Sequence, residues 1–199
     1  MRKEELIFEV CFFYSAEKVL NMEIIKTGDG VVYLWFDKTY SLNLKHKISK
    51  KEIEQSEIKR RIQELYPNAI LTHDKNGAPL ISGAEYTEVS ISHYHGWYAL
   101  YFSNQACGVD IQVFKDSLLR GKDYFVNKHD NHLELNKTNL HLIWSAKEAL
   151  YKKYKGQITD LKNEVTVQQI KEHSIDLAYM GKLEQLFLRV YSDFVIVWT

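Results

Sequence analysis

The chain has 199 residues, 26 Lys and Arg against 26 Asp and Glu, and 45% hydrophobic residues. That composition is globular, with enough chain for a real core, and it excludes collagen-like, low-complexity and disordered classes. A formal net charge of zero argues against a general nucleic-acid binder, while leaving room for a local basic patch.

Cys11 and Cys107 are too few for a disulfide framework and have no metal-type spacing, so a reducing cytoplasm is the expected location. No run of about 18 apolar residues is present, so no membrane-spanning helix is predicted. At the N-terminus, Met1-Arg2-Lys3-Glu4-Glu5 sets acids beside bases and Glu9 interrupts the apolar stretch that follows, which predicts no signal peptide. Met22 offers an alternative start.

Along the chain, two β-rich runs flank Gly28-Asp29-Gly30 and predict a hairpin. Ser49-Lys50-Lys51-Glu52 has the form of a capping box and opens a helix to about Leu65, stopped by Pro67, with Ile58, Ile62 and Leu65 on its buried stripe. Residues 73–87 are rich in turn formers. A meander follows: Val89-Ser90-Ile91-Ser92 alternates, 97–103 is aromatic, and 108–113 alternates again. A helix is predicted from about Thr138 to Lys155, then strands at 186–191 and 194–198. Each half thus ends in a helix and a strand hairpin. The predicted fold is α+β, two similar halves forming an internal pseudo-dimer, 1–104 and 105–199, tightly joined near Asn104–Gly108 with the site between them.

Several residues could carry chemistry. Alternation puts Val109, Ile111 and Val113 on one side of a strand and Asp110 and Gln112 on the other; Asp110 is either a hard-cation ligand or an ordinary exposed acid. On the 138–155 helix, Trp144, Glu148 and Lys152 lie four apart on one face. Glu148 could be a metal ligand or general base, and Lys147 and Lys152 could meet phosphate. Ser145-x-x-Glu148 also fits a capping box, and Glu148 with Lys152 also fits a plain surface ion pair. Ser92-His93-Tyr94-His95 ends a strand, where paired histidines would point the same way; His93 suits a phosphate better than zinc. Segment 45–61 holds seven bases against three acids, and Lys59-Arg60-Arg61 is its densest piece, an anion patch or a solvated helix face. Asp130 alone says little, and Cys107 reads as core. No glycine-rich phosphate loop or nucleophile elbow is present.

Taken together, three blocks resemble the 4′-phosphopantetheinyl transferase superfamily, in its larger pseudo-dimeric subgroup. "NGAPLI … VSISHYHGWYALYFS" is similar to the family's Gly-Lys-Pro … Ser-His-Ser block, "CGVDIQ" to its Gly-(Ile/Val)-Asp block, and "YFVNKHD … LIWSAKEALYKKYKG" to its Trp-Ser-x-Lys-Glu-Ala-x-x-Lys block. The last is the most specific, fitting at Trp144, Ser145, Lys147, Glu148, Ala149, Lys152 and Gly156. The likeness runs from about Lys59 to Trp198; the first 45 or so residues match poorly.

The resemblance implies transfer of the phosphopantetheine arm of coenzyme A to a serine of an acyl or peptidyl carrier protein, releasing adenosine 3′,5′-bisphosphate. It implies Mg²⁺ held by Asp110 and Glu148, with Gln112 where many members have Glu. Glu148, or a water it orients, would take the serine proton, and Asp130 stands where a third acid often lies. Ser92, His93, Lys147 and Lys152 would grip phosphates, and Arg60 and Arg61 would meet the 3′-phosphate. Tyr94 replaces the second Ser of Ser-His-Ser, and Ala78 replaces the Lys of Gly-Lys-Pro. The alternative is a relative that binds coenzyme A or a carrier without turnover. Neither nucleic acid nor membrane is an expected partner, and a monomer is expected.

Overall fold

The computed structural model describes residues 22–130 and 132–199. Cys11 and the N-terminal leader reading lie outside them. In chain order the elements are β1 Met22–Lys26, β2 Gly30–Phe36, α1 Tyr40–Lys45, α2 Lys50–Leu65, β3 Ile70–His73, β4 Pro79–Ser82, β5 Glu88–Tyr94, β6 Trp97–Ser103 and β7 Val109–Val113. There follow α3 Asp116–Arg120, a 3-10 turn at Lys122–Tyr124, α4 Lys137–Lys153, α5 Leu161–Glu164, β8 Val165–Ile170, β9 Ser174–Tyr179, β10 Lys182–Val190 and β11 Phe194–Trp198. The chain is α+β, as the sequence pattern predicts.

Every strand pairing among the described residues is antiparallel. A four-stranded sheet, β1-β2-β6-β5, comes wholly from residues before Asn104; a five-stranded sheet, β7-β11-β10-β9-β8, comes wholly from residues after Gly108. The predicted hairpins are present in register, with Ile25 opposite Val32 and Leu188 opposite Val197.

Local chemistry explains the helices. Ser49 caps α2 by accepting the Glu52 amide at 3.2 Å, and Asn136 caps α4 by accepting the Asn139 amide at 2.9 Å. Ser145 therefore lies in the middle of α4, and its capping-box reading fails because Asn136 already starts the helix. The turn-rich segment 73–87 contains β4 and the turn of a small β3–β4 hairpin, in which Asp74 Oδ1 accepts both the Asn76 and Ala78 amides.

Three apolar clusters form the core among the described residues. One lies under α2 and the first sheet around Trp35, Ile62 and Phe102. A second lies under α4 and the second sheet around Ile143, Leu150 and Leu186. The third joins the two sheets, with Val32, Leu34 and Ala99 from the first packed on Val109, Ile111, Ile196 and Trp198 from the second. Removing that apolar surface from water favours holding one sheet against the other.

No helix among the described residues is long and apolar enough to cross a membrane.

Candidate functional site

The junction of the two sheets places β5 beside β7, and α4 packs across β7 and β11. Strand alternation sends Val109 and Ile111 into the joining core and turns Asp110 and Gln112 toward α4. Asp110 is buried, not the exposed acid that a lone strand Asp resembles, and four donors converge on it. Ser92 Oγ from β5 donates to Oδ1 at 2.9 Å, and Lys152 Nζ from α4 donates to the same oxygen at 2.8 Å. Gln112 Nε2 donates to Oδ2 at 3.0 Å. Ser145 Oγ lies 3.0 Å from Oδ2 and 3.1 Å from the Asp110 carbonyl. Lys152 Nζ is further fixed by the Val109 carbonyl at 2.9 Å.

Glu148 completes the group. It sits between Ser145 and Lys152 on one face of α4, at the i, i+3 and i, i+4 spacing that stacks side chains one above another. Burial and then the Asp110 charge push its carboxyl up to about 7, with Lys152 acting the other way. A carboxyl that half-ionises near neutrality can exchange a proton at physiological pH. Among the described residues no hydrogen bond occupies it.

The oxygens here are of the kind a hard divalent cation prefers, while the Asp110 carboxylate already accepts four donors of the chain. Gln112 Oε1 is buried with no hydrogen-bond partner among the described residues, and the Asp110 and Glu148 carboxylates lie in the same cluster. One of these three donors is an amide; no group of three or more His, Cys, Asp or Glu set for a metal occurs among the described residues.

A cavity of about 220 Å³ opens beside the cluster. Its walls are the β3–β4 turn at Gly77–Pro79, β5 from Glu88 to Ile91, and the C-terminal end of α4 with Lys152, Lys155 and Gly156. It therefore spans both halves of the chain.

Other predicted residues stand elsewhere. Lys147 does not face a phosphate; it is fully buried, donating to Asp130 Oδ2 at 2.9 Å and to the Phe125 carbonyl at 2.7 Å. Asp130 is equally buried, and its other contacts are the Asn127 and Val167 amides at 2.9 Å and 2.8 Å. Lys147 leaves α4 on a different flank from Glu148, because adjacent helical residues diverge by about 100°. The pair pins the 125–130 loop to α4 and β8, away from Asp110.

Arg60 and Arg61 do not form an open anion patch either. Arg60 binds Glu57 at 2.7 Å as well as Glu64, and Arg61 binds Glu57 at 3.1 Å and Glu64 at 3.2 Å while covering the Trp35 ring. Glu57 and Glu64 stand three or four residues from them, the helical spacing that sets acids against this consecutive basic run.

His93 turns away from Asp110, toward α2. Its Nδ1 lies 3.2 Å from Glu54 Oε1, an ion-pair distance without completed hydrogen-bond geometry. Burial pushes the His93 imidazole below its ordinary value; Glu54 opposes, and Lys152 and Lys50 add to the lowering. His95 is not its partner: with φ 49° it forms the two-residue β5–β6 turn with Gly96 at φ 86°, and its ring meets Tyr94 edge to face. Tyr94 fills its position with a ring under Lys115, 4.4 Å from Nζ.

Two participants escape a reading of the sequence alone. Ser145 is concealed by its resemblance to a cap, although its place one turn before Glu148 puts it on the same face. Glu54 is one acid in a mixed-charge helix, and only the packing of α2 on β5 brings it to His93.

No protein-family model matches this chain, and no curated protein matches its sequence.

Proposed function

We propose that the chain is a Mg²⁺-dependent phosphopantetheinyl transferase, moving the arm of coenzyme A onto a serine of an acyl or peptidyl carrier protein. The observation that carries this reading is the convergence of Asp110 and Gln112 from β7, Ser92 from β5, and Glu148 and Lys152 from α4 in one buried cluster, whose Lys152 also lines a cavity between the two halves. Three separate sequence blocks supply those residues, and they are the blocks that carry the family resemblance. In the same reading the two halves are related units with the co-substrate lying between them.

Attack on a pyrophosphate demands that its charge be offset and that a hydroxyl lose a proton. Mg²⁺, held by Asp110, Glu148 and the Gln112 amide oxygen, would supply charge neutralisation at the pyrophosphate. Lys152 brings a cation already oriented by Asp110 and the Val109 carbonyl. Glu148, ionised beside the cation, would accept the serine proton directly or through a water. Ser92 holds Asp110 in place. Lys147 and Asp130 contribute the frame of α4 in this scheme, and Arg60 and Arg61 the frame of α2.

The test is mass spectrometry of several apo carrier proteins after incubation with the chain, coenzyme A and Mg²⁺. A gain of one phosphopantetheine group, lost on adding a chelator and absent with Glu148→Gln, is the expected result. Carriers that all stay unmodified, while coenzyme A still binds, would turn the assignment to a non-catalytic binder.

A further inference from the structure

β8 ends the second sheet, so among the described residues one side of its backbone has no neighbouring strand. Side chains of the loop before α4 stand in for one. Asn127 Nδ2 donates to the Val165 carbonyl at 3.3 Å, Asp130 Oδ1 accepts the Val167 amide at 2.8 Å, and His132 Nε2 lies 2.8 Å from the Gln168 carbonyl oxygen. The register with β9 slips between Val167 and Gln169 and leaves Gln168 without a partner there. A bulge of this kind bends a strand and re-aims its groups. An open sheet edge is a template for pairing with another chain, so side chains that fasten along it protect the fold.

The three fasteners differ. Asn127 and Asp130 are buried, and Lys147 from α4 neutralises Asp130 at 2.9 Å. His132 is exposed, and both of its ring nitrogens face carbonyl oxygens, since Nδ1 lies 2.7 Å from that of His129. A carbonyl oxygen only accepts, and a neutral imidazole carries one N–H, so only the imidazolium donates to both. The two carbonyls hold the ring above its ordinary value; a smaller desolvation opposes them, and the Asp130 charge adds to them. On β8, Val167 and Gln169 flank Gln168 and carry no charge. Asp176 of β9, opposite Gln169, is held by Lys171 at 2.6 Å. His129 meets the ring through its backbone carbonyl.

We propose that Asn127, Asp130 and His132 form a pH-sensitive strap on the outer edge of β8, closed while His132 is an imidazolium and loosened when it is neutral. Loss of the proton to solvent removes one N–H, so either the Gln168 or the His129 carbonyl loses its donor. The ring then grips one end only, and the edge at Gln168 opens more often. The sign follows from the raised ring: the strap contributes its full stability below the ordinary histidine value and loses it as pH rises through the folded one. The buried pair of Asp130 and Lys147 stays in place, so the loosening is local.

Two measurements on the full chain test the strap. An NMR titration of the His132 ring should give a midpoint above 6.5. Amide hydrogen exchange, referred to the intrinsic rate at each pH, should show the Val167 and Asn127 amides, both bonded to Asp130, losing protection between about pH 6 and pH 8. The loss should reach about tenfold for each unit by which the midpoint exceeds 6.5. His132→Gln cannot titrate, while Glu148 titrates in both proteins, so the ratio of wild-type to variant protection isolates the strap. That ratio should fall as pH rises. A midpoint at or below 6.5, or a ratio that stays constant with pH, overturns the proposal. The midpoint is read on the wild type, so it decides the matter even if the variant does not fold.

Discussion

Ser92 in β5 donates its hydroxyl proton to Asp110 in β7 at 2.9 Å, and the same oxygen accepts the Ile111 amide at 3.1 Å. Two residues earlier, Ser90 Oγ accepts the Val109 amide at 3.0 Å. The two strands belong to different sheets, so serine hydroxyls stand where a ladder of carbonyls would be. Removing the Ser92 hydroxyl leaves a buried amide without its acceptor, which costs about 1–3 kcal/mol. Ser92→Ala should lower stability by that amount in urea denaturation and reduce transfer further by loosening Asp110. A variant as stable as wild type would show that water replaces the hydroxyl.

Glu148 links stability to pH. Its carboxyl is raised from 4.5 to about 7 in the folded chain, so the folded state holds a proton that the unfolded state gives up. The associated stability is fully present below pH 4.5 and is lost as pH rises through about 7. Thermal melts should therefore show the wild type losing stability between pH 5 and pH 8 relative to Glu148→Gln. Because a bound divalent cation favours the ionised carboxyl, Mg²⁺ should raise the melting temperature more at pH 8 than at pH 6. Parallel pH profiles for the two proteins would remove Glu148 from this role.

Lys147 and Asp130 make a fully buried ion pair. Burying two charges is costly, and removing one partner leaves the other uncompensated, at about 3–5 kcal/mol. Lys147→Met should be destabilised to that extent, and combining it with Asp130→Asn should recover part of the loss. A double-mutant cycle in denaturant measures the coupling. Additive effects would mean that the Phe125 carbonyl, not Asp130, is the partner that matters to Lys147.

These cases mark how far the sequence could be read. Alternation on β7 and the four-residue step on α4 are local periodicities, so the faces bearing Asp110 with Gln112 and Glu148 with Lys152 were legible from spacing. Periodicity fixes a face and not a neighbour. Lys147 in a motif reads as a phosphate ligand because its sequence context is the same whether it turns to solvent or to Asp130. Arg60 and Arg61 read as a cationic run because the acids that cancel them lie one turn away on either side. The β8–β9 hairpin and α5 escaped because 161–179 mixes Thr, Gln and Glu with its apolar residues; its burial comes from α4 and β10, not from its own pattern.

Gly108 tests how closely β7 and α4 must approach. A Cβ there would stand 1.9 Å from the Ala149 carbonyl oxygen and 2.8 Å from the Lys153 amide nitrogen, both backbone atoms that cannot swing aside. The Gly108 carbonyl and amide are also tied to Thr199, through its amide and its hydroxyl, each at 3.0 Å, so the glycine cannot retreat without breaking those bonds. Gly108→Ala must then lift α4, and with it Glu148 and Lys152, away from Asp110. Overpacking of this kind costs about 1–3 kcal/mol or more. The transfer rate should fall further than the folded fraction does, since a shift well under 1 Å in α4 already lengthens the Lys152 bond to Asp110. Gly28→Ala, where a Cβ meets nothing within 4 Å, is the matched control and should leave both stability and transfer unchanged. Equal behaviour of the two variants would mean that the backbone contact between β7 and α4 does not set the geometry of the site.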